Sequence, residues 1–111
     1  MKTVKFMNLD LIMGIKEKIA LEKELGTSPL TALFGMMGDG EEINLEKIPT
    51  VDVMVAVLFH ASQKLNHGIN REKMFEIIDS YLEVDEHSVM DLVTVVIEVL
   101  QVSKYLPSVE E

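Results

Sequence analysis

The chain has 111 residues, no cysteine and a net charge of −9, from nineteen Asp plus Glu against ten Lys plus Arg. That length supports one domain around one core, and the missing cysteines exclude a disulfide scaffold, a zinc ribbon and a cysteine nucleophile. With 48% hydrophobic and 26% charged residues the chain is not a disordered tail, and its acidity argues against holding phosphate backbones, which takes clustered Lys and Arg.

The alternation from Lys2 to Phe6 fits a short strand. A first helix is predicted from about Asn8 or Leu9 to Leu25, closed by Gly26, with Ile12, Ile15 and Ile19 on one face and Glu17 and Glu24 opposite. Asp10 and the charged run Lys16 to Lys18 break the apolar N-terminal stretch, so it does not read as a signal peptide. Ser28-Pro29 is an N-cap followed by proline at the first helical position. The short helix it opens, Pro29 to about Met37, presents Leu30, Leu33, Phe34 and Met37. Gly38-Asp39-Gly40 ends that helix, and Asp39 to Glu46 reads as an exposed acidic loop.

Thr50 caps a helix predicted over Val51 to about Asn66, whose stripe is Val51, Met54, Val55, Leu58, Ala61 and Leu65. Its apolar run, Val53 to Phe59, is the longest in the chain and far too short to cross a membrane. Asn66-His67-Gly68 stops the helix and Asn70 caps the next. In that segment, Arg71 to Leu82, an apolar side (Met74, Phe75, Ile77, Ile78, Tyr81, Leu82) faces away from Glu72, Glu76, Asp79 and Glu83. Ser88 and Asp91 form a capping box for a last helix, Val89 to about Lys104. Its polar stripe is narrow, which predicts burial on most sides and a place at the centre of the core. Pro107 ends it. The expected architecture is therefore mainly α, a compact bundle of about five helices with a short N-terminal strand. A single domain spans 1–107, and 108–111 form a mobile tail.

No catalytic constellation assembles from these residues. His60 and His67 are two helical turns apart, but His67 falls in the stop signal, and His87 sits in an Asp-Glu-His turn. All three read as ordinary surface or half-buried histidines. The segment from Asp39 to Glu46 glances at a calcium loop, yet Ile43 stands where an oxygen ligand belongs and Asn44 where the turn needs glycine. No catalytic residue, metal or cofactor is expected.

Two features point instead to a partner. The row Glu72, Glu76, Asp79 and Glu83 places like charges three and four apart, an arrangement that a solvated face tolerates and a basic partner would relieve. The chain also holds eight methionines. Met54, Met74 and Met90 are assigned to the core, while Phe34, Met36 and Met37 serve equally well as core or as an adaptable binding patch.

The pieces LEKELGTSPLTALF, VAVLFHASQKLNHGINREKMFEIIDSYL and SVMDLVTVVIEVLQVSKYLP, in that order and spacing, resemble tail assembly chaperones of long-tailed bacteriophages and prophages of Gram-positive bacteria. The resemblance runs through the Leu-Gly helix end before Pro29-Leu30, the His67-Gly68-Ile69 hinge, Met90-Asp91-Leu92, Gln101 and Leu106-Pro107. It covers roughly residues 20–107. It implies a helical, non-enzymatic protein that binds the tape measure protein in the host bacterial cytoplasm. Such chaperones keep that client soluble, help recruit the tail tube protein, in many cases through a longer frameshifted form, and are absent from the virion. Many copies on one long client lead to an expectation of weak self-association, and the acidity and short apolar runs to an expectation of no contact with nucleic acid or membrane. The rival readings are an acidic nucleic-acid-mimicking inhibitor of a host DNA-binding protein and a small regulatory enzyme subunit.

Overall fold

Apolar residues at every second position, Val4, Phe6, Leu9 and Leu11, put four side chains on the buried face of a two-stranded antiparallel hairpin. Its strands are β1 (Val4–Phe6) and β2 (Leu9–Leu11). The computed structural model describes residues 2–37, 49–84 and 86–106, the side chains of 34–37 excepted. The acidic 39–46 stretch and the 108–111 tail therefore lie outside the described residues. In the hairpin register Phe6 pairs with Leu9 and Val4 with Leu11. On the outer face Lys5 Nζ meets Asp10 Oδ1 at 2.7 Å.

The hairpin occupies residues that the helical pattern assigned to the first helix. Strand pairing buries Leu9 and Leu11 on the same side, which a helix would separate by about 200°. Helix α1 (Ile15–Leu25) starts only after Gly14, whose N–H donates to Glu17 Oε1 at 2.8 Å. The inward face also differs from the expected one. Ile15 and Ile19 are 69% and 51% exposed, and Leu21 is the buried residue. Gly26 closes the helix at φ 75°, a left-handed conformation that glycine adopts without strain.

Helix α2 (Pro29–Met37) follows its sequence signal, with Ser28 Oγ accepting from the Leu30 N–H at 3.0 Å. Helix α3 (Val51–Ala61) begins at Thr50, which accepts from the Val53 N–H, and ends a turn earlier than the stripe predicts. The Gln63 N–H donates to the His60 carbonyl, tightening the last turn, and Leu65 is left exposed. Helices α4 (Arg71–Glu83) and α5 (Val89–Val102) start at Asn70 and Ser88 as expected. The Asn70 side chain accepts from the Lys73 N–H, and Asp91 accepts from the Ser88 N–H.

The molecule is mainly α-helical, with five helices and the hairpin among the described residues. Its centre is α3, not α5. Met54, Val55, Ala56, Val57 and Leu58 are consecutive and all buried, so the middle of α3 is covered on every side. It packs against α1, α2, α4 and α5. Helix α5 buries one face, Leu92, Val93, Val96, Val99 and Leu100, against α3 and β1, and leaves Met90 exposed rather than in the core. Among the described residues no helix is long and apolar enough to cross a membrane.

Candidate functional site: a groove between two helices with an acidic rim

The core face of α4 is Met74, Ile78 and Tyr81, spaced at three and four residues. The sequence pattern placed Phe75 on the same side, but its position about 100° from Met74 turns it outward, and it is 44% exposed. It forms one lip of a groove of about 570 Å³ between α4 and the first turns of α3. Buried Val55 and Ile78 make the floor, and Val51 (47% exposed), Arg71 and Leu82 complete the lining beside the acids. Three carboxylates stand on the rim: Asp52 from α3, and Glu72 and Asp79, two turns apart on α4. Among the described residues none of the three forms an ion pair.

The row of four acids on α4 is thereby divided. Glu76 lies 4.0 Å from Lys73 Nζ and borders a second groove, shared with Met7, Asn8, Ile77 and Ser80. Glu83 is exposed at the end of the helix and lines neither groove. The side chains of Phe34, Met36 and Met37 lie outside the described residues, so only their backbone place in α2 is known.

A second cluster had no local sequence signal, because its members are 36 and 47 residues apart. Glu24 on α1 takes a two-pronged grip from Arg71 on α4, at 2.7 and 3.1 Å, and lies 2.8 Å from His60 Nε2 on α3. The Arg71 guanidinium also covers the Phe59 ring at 4.4 Å. The Arg71 hydrogen bonds hold the Glu24 carboxyl down at about 2, against some opposing effect of burial and with help from His60. An ionised carboxylate only accepts, so His60 Nε2 carries the proton between them. The cluster ties three helices together.

This cluster makes stability pH-dependent. The folded value of Glu24 is below the ordinary 4.5, so its contribution is complete above about pH 4.5 and fades as pH falls towards 2. The side chain is 36% exposed, and screening holds that contribution to about 1 kcal/mol. Glu24→Gln should therefore melt below the parent at pH 7, and the gap should close towards pH 2. A gap that stays constant across thermal melts in that range would show that the ion cluster adds nothing.

His87 and the two tyrosines are also engaged. His87 stacks on Tyr81 at 3.9 Å, and its Nδ1 is 3.0 Å from the Tyr81 carbonyl oxygen. Burial, then the charges of Asp91 and Glu98, raise the Tyr81 hydroxyl above its ordinary value. Tyr105 donates to Glu22 at 2.7 Å, and burial followed by that carboxylate raises it as well. Among the described residues no group of three His, Asp or Glu side chains is placed to hold a metal ion. What the site presents is an apolar groove edged with negative charge.

Comparison with known proteins gives no match among curated proteins and none among solved structures. One family model, described as "Family of unknown function (DUF6096)", matches residues 1–109, nearly the whole chain. The chain belongs to the DUF6096 family, whose function is unknown.

Proposed function

We propose that the chain is a tail assembly chaperone of a long-tailed bacteriophage or prophage. It binds the tape measure protein in the host cytoplasm, keeps it soluble and helps recruit tail tube subunits, without enzymatic activity or a place in the virion. The observation that carries this reading is the α3–α4 groove, where Val51 and Phe75 stand exposed beside carboxylates. A protein that shields another chain needs apolar surface it can lend reversibly, and an acidic rim keeps that surface in solution. The order of the resembling pieces over residues 20–107 supports the choice of client. Phe34, Met36 and Met37 are proposed further contacts from α2, with Glu72, Glu76, Asp79 and Glu83 supplying negative charge.

Co-expression with the tape measure protein encoded nearby, followed by size exclusion with light scattering, tests the proposal. The expected result is a soluble complex holding several copies of this chain per client. An insoluble client with this chain left alone in solution would overturn it and bring forward the acidic-mimic reading.

A further inference from the structure

We infer that the α3–α4 groove takes one amphipathic helix of a partner, with an apolar stripe flanked by Lys or Arg. The inference rests on the chaperone reading only for the identity of the client. The shape and charge of the groove argue for the kind of occupant by themselves.

The groove lies between two helices, so what fits it is a third helix packed ridge into groove. From Glu72 to Leu82 the α4 wall rises about 15 Å, nearly three helical turns. An occupant of that length offers apolar anchors at i, i+3 or i+4, and i+7, and these would meet Val55, Ile78 and Leu82 of the lining. Phe75 and Val51 rise from the two walls and would be covered by the same helix.

Charge selects among possible occupants. Asp52 stands on one wall and Glu72 and Asp79 on the other, so both flanks of the incoming helix meet carboxylates. Among the described residues the cation that lines the groove, Arg71, is already held by Glu24. A second copy docking face to face would bring its own three carboxylates against these, on chains that each carry −9. A helix with basic flanks relieves the repulsion, and acidic residues there would add to it.

The test uses two labelled 18-residue peptides, helical and alike in their leucine stripe, one flanked by lysine and the other by glutamate. Binding to the full-length protein is read by fluorescence anisotropy, and its position by backbone amide shifts in NMR. The lysine peptide should bind at least tenfold more tightly, moving the amides of α3 and α4 around Val51, Phe75 and Asp79. Glu72→Lys with Asp79→Lys should weaken it about tenfold or more. Glu86→Lys with Glu98→Lys makes the same change of charge outside the groove and should leave it nearly unaltered.

Equal losses in the two double variants would reduce the effect to general charge and overturn the inference. So would shifts centred elsewhere, or a dimer formed through this face. Folding is checked by the dispersion of the same spectra. If one variant unfolds, Phe75→Ser tests the groove through an exposed position instead. The two readings fail separately. A lysine peptide seated in the groove of a protein that does not hold the tape measure protein retains the groove and removes the chaperone. A tape measure protein held equally well by parent and Glu72→Lys/Asp79→Lys protein retains the chaperone and removes the groove.

Discussion

Leu58→Ala should destabilise the protein by about 3 kcal/mol, whereas Leu65→Ala should change stability by less than about 0.5 kcal/mol. The two leucines are one heptad apart and share a stripe in the sequence, so periodicity alone treats them as equals. The structure separates them. Leu58 is fully buried in α3, where a truncated side chain loses transfer energy and leaves a cavity that four neighbouring helices cannot collapse to fill. Leu65 lies beyond the end of α3 and is exposed. In a domain of this size the Leu58 variant should melt roughly 10–20 °C lower. Equal losses at the two positions would mean that the helix runs on to Asn66 with Leu65 packed in the core.

Asn66→Ala should cost about 2 kcal/mol, much for a half-buried polar residue in a turn. Its side chain acts as a substitute strand along the outer edge of β2. Oδ1 accepts from the Asp10 N–H at 3.2 Å, while Nδ2 donates to the Asp10 carbonyl at 2.8 Å and to the Ser62 carbonyl at 2.9 Å. Alanine would leave those backbone groups without partners and free the hairpin from the end of α3. Hydrogen exchange at the Asp10 amide should accelerate along with the loss of stability. Asn66→Asp is the sharper probe. At neutral pH it keeps an acceptor for the Asp10 N–H but sets a carboxylate oxygen against two carbonyls. It should match or exceed the alanine loss at pH 7 and recover partly once the acid is protonated and donates again. An unaltered Asp10 exchange rate in both variants would show that the edge is held by other contacts, such as the Ile12 N–H to Ala61 carbonyl bond.

Both predictions concern features that differ in how well the sequence announces them. The starts of four helices were legible because a cap is a local device. Ser28, Thr50, Asn70 and Ser88 act within three residues of where they stand, and each serves as its pattern indicates. The stop at Gly26 is local in the same way, since only its own backbone conformation is involved. Buried faces were less legible. Ile15, Ile19, Phe75 and Met90 are apolar and suitably spaced, yet all four are exposed, because which side of a helix is covered depends on the neighbour that arrives there. Leu9 and Leu11 fit both a helix and a strand, and pairing with Val4 and Phe6 across the turn decided for the strand.

The candidate site divides along the same line. The row of acids on α4 and its helical spacing follow from the sequence, since residues on one helix carry their geometry with them. That Glu72 and Asp79 border an apolar groove with Asp52, while Glu76 turns to Lys73, could not follow from it. A groove is a relation between two helices, and the rotation of α3 against α4 is set by packing of the whole core. The Glu24, His60 and Arg71 cluster makes the point most strongly, because three helices had to be placed before a carboxylate could meet its two partners. The sequence by itself thus determined the helices, their starts where a cap marks them, and the acidic character of one helix, all governed by contacts within a few residues. The tertiary structure decided the exchange of α3 for α5 as the centre, the faces left open and the groove between them, because burial and charge pairing act between residues distant in the chain.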